Sequence, residues 1–596
     1  MILYPVVCFF GEEYISNEQI TQYHFKSDDN IDEILNKYNP NVIVTIGPTW
    51  NIFINLLKQP LHIKKKWIHF NNTKDIQINQ IYYCYLKNTI DNKDSNNPLI
   101  SIFTSTYNSG EKINRPFQSL KNQTYQNWEW IIMDDSTDIN FFNKLIELKN
   151  NDYRIKIFKS DKNNGNIGQL KYYTASMCKG DLLLELDHDD ELTDNCLELI
   201  KYHFINYPDI GFFYSDFAEL YEKNNNPFNY GEDWGFGYGG YYAQKYKDKI
   251  VHVATSVNLN PSTIRYITGV PNHVRVWTSK VYKQLNGHNF FPVVDDYDLL
   301  IRTFLNTKCM RIPYLGYLQY RNEDGNTTFI RNNEIQKLTC LIRDYYNPQI
   351  SDKLKELNIK DNYYSYNGLI WNKPYNYHEQ HITFYPIPIK NSVSVIISTY
   401  NRPEKLKRAI DSVLNQSYKD YELIIIGDNC KYLDEIMLKY NDNRIRWWNL
   451  FKNYNDGGTT PKNYALRKLI RTEYIAYLDD DNYWENNHLE SLITKINSDN
   501  AEYCFSSFII NNNYKILCKE PLLYRIDTSC LLHKYSLITK YGYWKSIKEI
   551  YTHDWELVSR WTNEKYAYTG LYTLNYEADL NKCNPQLIYE YYGDQN

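Results

Sequence analysis

Two near-identical runs decide the fold of this chain: Leu99-Ile-Ser-Ile-Phe-Thr-Ser-Thr-Tyr-Asn108 and Val393-Ser-Val-Ile-Ile-Ser-Thr-Tyr-Asn401. Each is rich in apolar and β-branched residues and ends in Ser-Thr-Tyr-Asn. Short apolar runs of this kind are typical of central strands in a parallel sheet, where both faces are buried. We therefore expect an α/β protein with a related strand in each half.

The residues that follow each run also match. A helical stretch ends in Ser119-Leu-Lys-Asn-Gln-Thr-Tyr125 or in Ser412-Val-Leu-Asn-Gln-Ser-Tyr418, and a second strand then reads Trp128-Glu-Trp-Ile-Ile-Met-Asp-Asp135 or Tyr421-Glu-Leu-Ile-Ile-Ile-Gly-Asp428. Strand, helix and strand in this order predict a right-handed βαβ unit in a parallel sheet.

A third match is an acidic cluster after a later strand, Asp181-Leu-Leu-Leu-Glu-Leu-Asp-His-Asp-Asp190 against Glu473-Tyr-Ile-Ala-Tyr-Leu-Asp-Asp-Asp-Asn482. Three matches in one order indicate a duplicated domain, because each copy is too long to be a solenoid repeat. We predict copies at residues 96–330 and 391–596, joined by a helical and irregular connector at 331–390. The pattern of Asn41-Val-Ile-Val-Thr-Ile-Gly47, with Met1 to Phe10 as a partner strand, predicts a small α/β domain at residues 1–95.

Composition excludes several classes of protein. A net charge of −5 argues against nonspecific nucleic-acid binding, which needs many cationic contacts. The 11 cysteines are scattered without a Cys-x-x-Cys pair, so neither a disulfide framework nor a zinc site is expected. No stretch approaches the ~18 apolar residues of a membrane helix, and the apolar N-terminus lacks the basic residues of a signal peptide. We expect a cytoplasmic protein, peripheral to a membrane if its acceptor lies there.

The 59 tyrosines are spread over the whole chain, so we attribute them to AT-rich coding and not to sugar-binding platforms.

Carboxylates fall where open parallel sheets bind ligands, at the carboxyl ends of their strands. Clustered carboxylates repel one another, and their hard oxygens suit Mg²⁺ or Mn²⁺ shared with substrate phosphates. The alternative is an acidic surface loop, which its recurrence in both copies disfavours. The residues concerned are Asp135, Asp187 and Asp189 in the first copy and Asp428, Asp479 and Asp481 in the second.

A later acidic motif reads Val294-Asp-Asp-Tyr-Asp-Leu-Leu-Ile-Arg302 in the first copy and Thr552-His-Asp-Trp-Glu-Leu-Val-Ser-Arg560 in the second. In each, Asp296 or Asp554 precedes an acidic residue by two and an arginine by six. One interpretation is a helix N-cap worth ~1 kcal/mol. The other is a general base held at a helix start, and the two are compatible.

This ordered set of motifs resembles family 2 glycosyltransferases with the GT-A fold, over about residues 97–330 and 391–580. The resemblance implies two tandem Rossmann-like domains with mostly parallel sheets. It also implies inverting transfer of a sugar from a nucleoside diphosphate donor, most simply a UDP-sugar, to a glycan acceptor. We expect a bifunctional enzyme; the alternatives are one active domain beside a degenerate copy, or a nucleotide- or glycan-binding protein without turnover.

The resemblance also assigns roles to residues. Asp296 and Asp554 match the catalytic base, and the metal would be Mn²⁺ or Mg²⁺ on the two Asp-x-Asp pairs. Lys171 and Lys462 stand where relatives often carry an arginine, although a solvated lysine is the alternative. The residues expected at the nucleotide are Thr106, Tyr107, Asp135 and Lys171 in the first copy and Thr399, Tyr400, Asp428 and Lys462 in the second.

Some positions depart from the family pattern or stay open. Gly427 replaces the first acid of an Asp-Asp pair, and His553 replaces an acidic neighbour of the base. We expect His533 to be structural and Arg321 to lie near the diphosphate. The Gly-rich, aromatic segment from residue 230 to 242 is a candidate lid on the acceptor side. The N-terminal unit could dock partners, support a homodimer or cover a sheet edge.

Overall fold

The computed structural model describes most of the chain. The described residues are 6–11, 20–26, 29–47, 50–59, 61–81, 84–85, 96–149, 152–160, 163, 165–232, 234–257, 259–322, 326–361, 383–523 and 525–578. Among these, no helix is both long and apolar enough to cross a membrane.

The N-terminal unit is a four-stranded parallel sheet in the order β2-β1-β3-β4. Its strands are β1 (Val6–Phe10), β2 (Thr21–Phe25), β3 (Val42–Ile46) and β4 (Trp67–Phe70), and its helices include α1 (Ile31–Tyr38), α2 (Trp50–Leu57) and α3 (Leu61–Lys64). Alternate residues of β1 pack on opposite faces, Val7 and Phe9 on one and Cys8 and Phe10 on the other. The predicted pairing of the first strand with the strand near residue 44 is confirmed.

The first repeat contains eleven described strands. They are β5 (Ile100–Thr106), β6 (Trp128–Asp134), β7 (Ile155–Lys159), β8 (Leu182–Glu185), β9 (Glu191–Leu192), β10 (Phe212–Tyr221), β11 (Pro227–Phe228), β12 (Gly240–Tyr246), β13 (Lys249–Thr255), β14 (Arg275–Thr278) and β15 (Cys309–Arg321). Its helices include α4 (Asn114–Lys121), α5 (Ile139–Lys149), α6 (Ile167–Ser176), α7 (Cys196–Asn206), α8 (Thr263–Tyr266), α9 (Ser279–Gln284) and α10 (Asp295–Asn306).

Two helices, α11 (Thr327–Ile330) and α12 (Asn332–Glu356), follow the first repeat. The helical pattern predicted from residue 333 to 346 is therefore present and extends ten residues further. Residues 362–382 of the predicted connector, including Pro374, lie outside the described residues, and the bounds of the four domains stay predictions.

The second repeat has nine described strands. They are β16 (Ile389–Thr399), β17 (Tyr421–Gly427), β18 (Ile445–Asn449), β19 (Thr472–Asp479), β20 (Tyr483–Trp484), β21 (Tyr503–Ile510), β22 (Tyr514–Ile516), β23 (Leu531–Lys534) and β24 (Tyr566–Tyr576). Its helices include α13 (Pro403–Leu414), α14 (Leu433–Met437), α15 (Thr459–Lys468), α16 (His488–Ser498), α17 (Tyr535–Tyr541) and α18 (His553–Ser559).

The two repeats share one strand order. Pairing runs β7-β6-β5-β8-β14-β10-β15 in the first and β18-β17-β16-β19-β23-β21-β24 in the second. The first four strands of each are parallel and the fifth is antiparallel to its neighbours. The predicted class, two tandem mostly parallel α/β domains beside a small α/β unit, is confirmed. The parallel strands bring residues 106, 134, 399 and 427 to the carboxyl edges of their sheets, which places the sites.

A hairpin of the first repeat, formed by β12 and β13, contacts the second repeat and has no counterpart among the described strands there. Its strand β12 bridges to edge strand β18 of the second repeat at Ala243 and Trp447. Two residues earlier, the hydroxyl of Tyr464 on α15 accepts from the backbone N–H of Tyr241 at 2.5 Å and donates to its carbonyl at 2.7 Å. Trp448 stacks on the Tyr241 ring. This contact, which we call the interdomain clamp, holds residues 240–242 in place, so the predicted lid cannot include them.

Candidate active sites

Three of the four nucleotide residues predicted in the first repeat, Thr106, Tyr107 and Asp135, lie at the ends of β5 and β6, whereas Lys171 contacts Glu185 and Asp295 instead. Thr106 donates its hydroxyl to buried Asp134 at 3.0 Å, and the backbone N–H of Asp135 donates to the Thr106 carbonyl at 2.8 Å. Burial raises the pKa of Asp135, while hydrogen bonds from Ser160 oppose the shift. Tyr107 is half-exposed beside them, so its ring is free to stack on a ligand.

The second repeat has a similar arrangement at the ends of β16 and β17, but its carboxylates stand at different positions in the sequence. Thr399 donates to Asp480 at 2.8 Å, because Gly427 supplies no carboxylate where the first repeat has Asp134. Asp428 accepts from the backbone N–H groups of Tyr454 and Asn455 at 2.9 and 3.0 Å. Burial raises the pKa of Asp428. Tyr400 is half-exposed, as its counterpart is.

The first Asp-x-Asp pair carries no cationic partner. No described lysine or arginine lies within 4 Å of the carboxylates of Asp187 or Asp189. The His273 ring stands beside the pair, with its Nε2 3.6 Å from Asp187. Burial lowers the pKa of His273 to about 4, so this ring is neutral near pH 7. Two carboxylates beside a neutral imidazole, with no lysine or arginine among the described residues in direct ion-pair contact, fit a divalent cation shared with substrate phosphates.

The second Asp-x-Asp pair is already matched by cations. Arg402 Nη1 lies 2.8 Å from Asp481 and 3.0 Å from Asp480. Lys462 Nζ lies 3.3 Å from Asp479. Within the described residues, no group of three or more His, Cys, Asp or Glu side chains is placed to hold a metal in either repeat. A cation at either pair would therefore need ligands from a substrate.

One arginine in each repeat donates a hydrogen bond to the Asp-x-Asp loop, and neither arginine was predicted from the sequence. Arg115 donates to the Asp189 carbonyl at 2.8 Å and pairs with Glu222. Arg408 donates to the Asp481 carbonyl at 2.7 Å and pairs with Glu577. A signal was available, because each arginine lies four residues before the serine of the matched helical phrase.

The predicted base of the first repeat sits in a dense ionic cluster at the start of α10. Asp296 lies 3.0 Å from Arg275, which is also 3.6 Å from buried Glu185. Lys171 Nζ lies 2.5 Å from Glu185 and 3.6 Å from Asp295. Burial alone would raise the pKa of Asp296, but Arg275 and Lys171 hold it below its usual value. Asp296 is therefore a carboxylate near neutral pH, as a general base must be.

The other charged residues of this cluster, Lys171 and Asp295, also have shifted pKa values. Burial alone would lower the pKa of Lys171, and Asp295 and Glu185 raise it well above the usual range. Burial raises the pKa of Asp295 to about 7. Lys171 is thus a buried cation facing carboxylates and not a solvated lysine.

The predicted base of the second repeat has different neighbours. Asp554 accepts a hydrogen bond from the Thr528 hydroxyl and lies 3.1 Å from His553 Nε2. Burial alone would raise the pKa of Asp554, but His553 and Lys462 lower it. Buried Asp527 stands nearby, and burial together with the charges of Asp479 and Asp554 raises its pKa well above the usual value. The surroundings therefore move the pKa values of these two neighbouring carboxyl groups in opposite directions.

The acid and arginine after each base are structural. Arg302 pairs with Asp298 and donates to the carbonyls of Leu285 and Gly287, which ties α10 to the preceding loop. Arg560 pairs with Glu556 and binds the carbonyls of Tyr541 and Tyr543 in the same way.

The N-cap interpretation of the two bases is wrong. The caps are Val294 and Thr552, and Asp296 and Asp554 are the second residues of their helices.

Two further residues are held within the fold. His533 is fully buried, its Nε2 3.0 Å from the Tyr477 hydroxyl and its Nδ1 2.8 Å from the Lys534 carbonyl, which supports the structural role expected for it. Arg321 lies at the end of β15, where it pairs with Glu219 at 2.5 Å and stacks on Phe228.

Comparison with known proteins places both repeats in one family. The model named "Glycosyl transferase family 2" matches residues 101–259 and 394–542, slightly more than half of the chain. Both matches end before the predicted bases, so the comparison does not reach Asp296 or Asp554.

Individual relatives cover parts of the chain. An uncharacterized glycosyltransferase of Rickettsia bellii is 25% identical over 69% of this chain, which spans 57% of that relative's length. A UDP-Glc:α-D-GlcNAc-diphosphoundecaprenol β-1,3-glucosyltransferase of Escherichia coli is 32% identical over 21% of this chain and 49% of its own. Among solved structures, Staphylococcus aureus TarS in complex with UDP matches 38% of this chain and 61% of its own at 17% identity, with a TM-score of 0.29.

Proposed function

The chain belongs to glycosyltransferase family 2, and we propose that it is a bifunctional inverting glycosyltransferase. Each repeat would transfer a sugar from a nucleoside diphosphate donor to a glycan acceptor. The observation that carries this proposal is that both repeats keep a partly buried aspartate at a helix start, held ionised by neighbouring cationic groups and near a cluster of strand-end carboxylates.

The chemistry is a single displacement. The acceptor hydroxyl oxygen forms a bond to the anomeric carbon while the bond from that carbon to the donor diphosphate breaks. The electron pair leaves on the diphosphate oxygen, and the hydroxyl proton passes to Asp296 in the first repeat or Asp554 in the second. One displacement inverts the anomeric centre, and a positioned base contributes about 10²–10⁴ in rate.

Surrounding residues keep each base ready for this step. Arg275 holds Asp296 ionised and oriented from one side, and its own guanidinium is fixed by the carbonyls of Pro271 and Gly269 at 3.0 and 2.9 Å. In the second repeat the Thr528 hydroxyl and His553 orient Asp554. Both bases thus have an oriented carboxylate before any substrate arrives.

Donor binding would use the strand ends. Tyr107 and Tyr400 offer half-exposed rings, and Asp135 and Asp428 offer carboxylates to the nucleoside. We propose UDP-sugars as donors, supported by the E. coli relative whose name includes UDP-Glc.

A divalent cation fits the first repeat best, because no described lysine or arginine forms an ion pair with Asp187 or Asp189. Asp187 and Asp189 would hold Mn²⁺ or Mg²⁺, which supplies neutralisation of the charge on the departing diphosphate. The pair of Asp479 and Asp481 fits less well, since each carboxylate already faces a cation.

The test is a donor panel with matched variants. Purified chain would be given a set of nucleotide sugars, and transfer or hydrolysis would be measured for wild type, Asp296→Asn, Asp554→Asn and the double variant. We expect each single variant to lose a different activity by about 10²–10⁴. Loss of everything in one variant and of nothing in the other would show that one repeat is a scaffold. No turnover with any donor, despite nucleotide binding, would favour a binding protein.

A further inference from the structure

The two repeats differ at one aligned position beside the Asp-x-Asp pair. Counting from the shared Ser-Thr-Tyr-Asn motif, the next residue is Ser109 in the first repeat and Arg402 in the second. The Ser109 side chain is small and uncharged, whereas the Arg402 guanidinium contacts both Asp480 and Asp481. The position that is neutral in one repeat is therefore cationic in the other.

The second repeat also has a cavity at this point. It measures about 550 Å³ and is lined by Arg402, Lys405, Asp481 and Tyr483, among others. Lys405 Nζ is 4.0 Å from Asp481 and 3.7 Å from Glu577. Both cationic side chains are about half exposed, so they can reach a ligand in the cavity while they stay near the carboxylates.

The two sites differ in the cationic side chains that surround their Asp-x-Asp pairs. In the second repeat the three carboxylates Asp479, Asp480 and Asp481 are opposed by Lys462 and Arg402, with Lys405 close by. An added divalent cation would displace or repel these groups. An arginine presents a planar fork of donors that matches a phosphate, and it is always charged. The cavity therefore already presents two cationic side chains, Arg402 and Lys405, that can contact a diphosphate.

We propose that the two sites meet the donor diphosphate differently, the first through a divalent cation on Asp187 and Asp189 and the second through Arg402 and Lys405 without a metal. The proposal rests on nucleotide-sugar binding by both repeats. It makes Arg402 a binding residue of the second site and Ser109 the position that leaves room for a metal in the first.

The test counts bound metal and does not depend on turnover. Mn²⁺ would be titrated into the full chain with saturating UDP, with free Mn²⁺ followed by electron paramagnetic resonance and UDP binding by calorimetry. We expect one Mn²⁺ per chain but two UDP. Asp187→Asn should weaken the Mn²⁺ site by more than the about tenfold that losing an outer-shell partner costs. Asp481→Asn should leave the Mn²⁺ count at one.

The aligned pair supplies reciprocal variants. Arg402→Ser should raise the Mn²⁺ count to two, and Ser109→Arg should lower it to zero, with circular dichroism to confirm folding. Arg444→Ser is the matched control, because it removes an ion pair with Asp442 at the start of β18. It should leave the count at one.

Two Mn²⁺ per wild-type chain, one lost in each of Asp187→Asn and Asp481→Asn, would overturn the proposal, as would no Mn²⁺ at all. Absence of UDP binding would instead refute the proposed function.

Discussion

The interdomain clamp predicts that a single hydroxyl couples the two repeats. In Tyr464→Phe the backbone N–H and carbonyl of buried Tyr241 lose the partner that they have at 2.5 and 2.7 Å. Each buried group left unsatisfied costs about 1–3 kcal/mol. The free space beside Tyr464 is about 10 Å³, at the lower limit of the about 10–15 Å³ that a water molecule needs. Two buried backbone groups lose their partner, and we expect the free energy of unfolding to fall by about 2–4 kcal/mol.

The assay is urea unfolding followed by tryptophan fluorescence, which Trp448 reports directly because it stacks on Tyr241. The control is Tyr474→Phe, whose hydroxyl donates one hydrogen bond to Asn497 at 2.8 Å within the second repeat. That control should lose about 1 kcal/mol. Equal losses in the two variants, or no loss in Tyr464→Phe, would refute the idea that the clamp carries the interface.

Two further predictions concern buried charge. His488 and His533 are fully buried, and burial lowers their pKa values to about 3 and about 4. Their folded-state pKa lies below the unfolded value, so stability is complete above pH 6.5 and falls on acidification toward pH 4, by about 1.4 kcal/mol per histidine per pH unit; a flat unfolding free energy between pH 6.5 and 4.5 would contradict this. Lys171→Met leaves Glu185 without its closest cation and should cost about 3–5 kcal/mol, measured by thermal unfolding. Lys112→Met, whose partly exposed ion pair is shared with another cation, should cost under about 1 kcal/mol; similar losses in the two lysine variants would contradict the buried-cluster interpretation.

Local patterns predicted the central strands because these are largely apolar, β-branched runs bounded by polar turns. The runs up to Thr106 and Thr399 form β5 and β16, and Asp135 and Asp428 directly follow the neighbouring parallel strands β6 and β17. That result needed only periodicity and the βαβ rule.

Contacts between side chains that are far apart in the sequence could not be predicted from local patterns. Arg275 and Glu185 are ninety residues apart, and they meet only because β14 lies antiparallel to β8 with these two residues in register. No local pattern contains that register. Local patterns also do not show that Thr106 binds Asp134 whereas Thr399 binds Asp480. The two acids lie at the ends of different strands of their sheets.

The sequence left two interpretations open at the helix starts, because an aspartate near a first turn has two uses. The Asp296 carboxylate faces Arg275 across the cleft, and it also accepts from the backbone N–H of Tyr297 in the first turn of its helix. The cap position is taken by Val294 in a left-handed conformation. Side-chain direction, which a sequence motif does not encode, decided between the two interpretations.

The hairpin of β12 and β13 also has a consequence for solubility. A second repeat produced without the first would present β18 as an open sheet edge, with the aromatic faces of Trp448 and Tyr464 turned to water. Unpaired apolar edges recruit strands from other chains and lead to aggregation. The first repeat therefore covers this edge of the second repeat. We expect the second repeat to stay soluble only when the first repeat is attached to it.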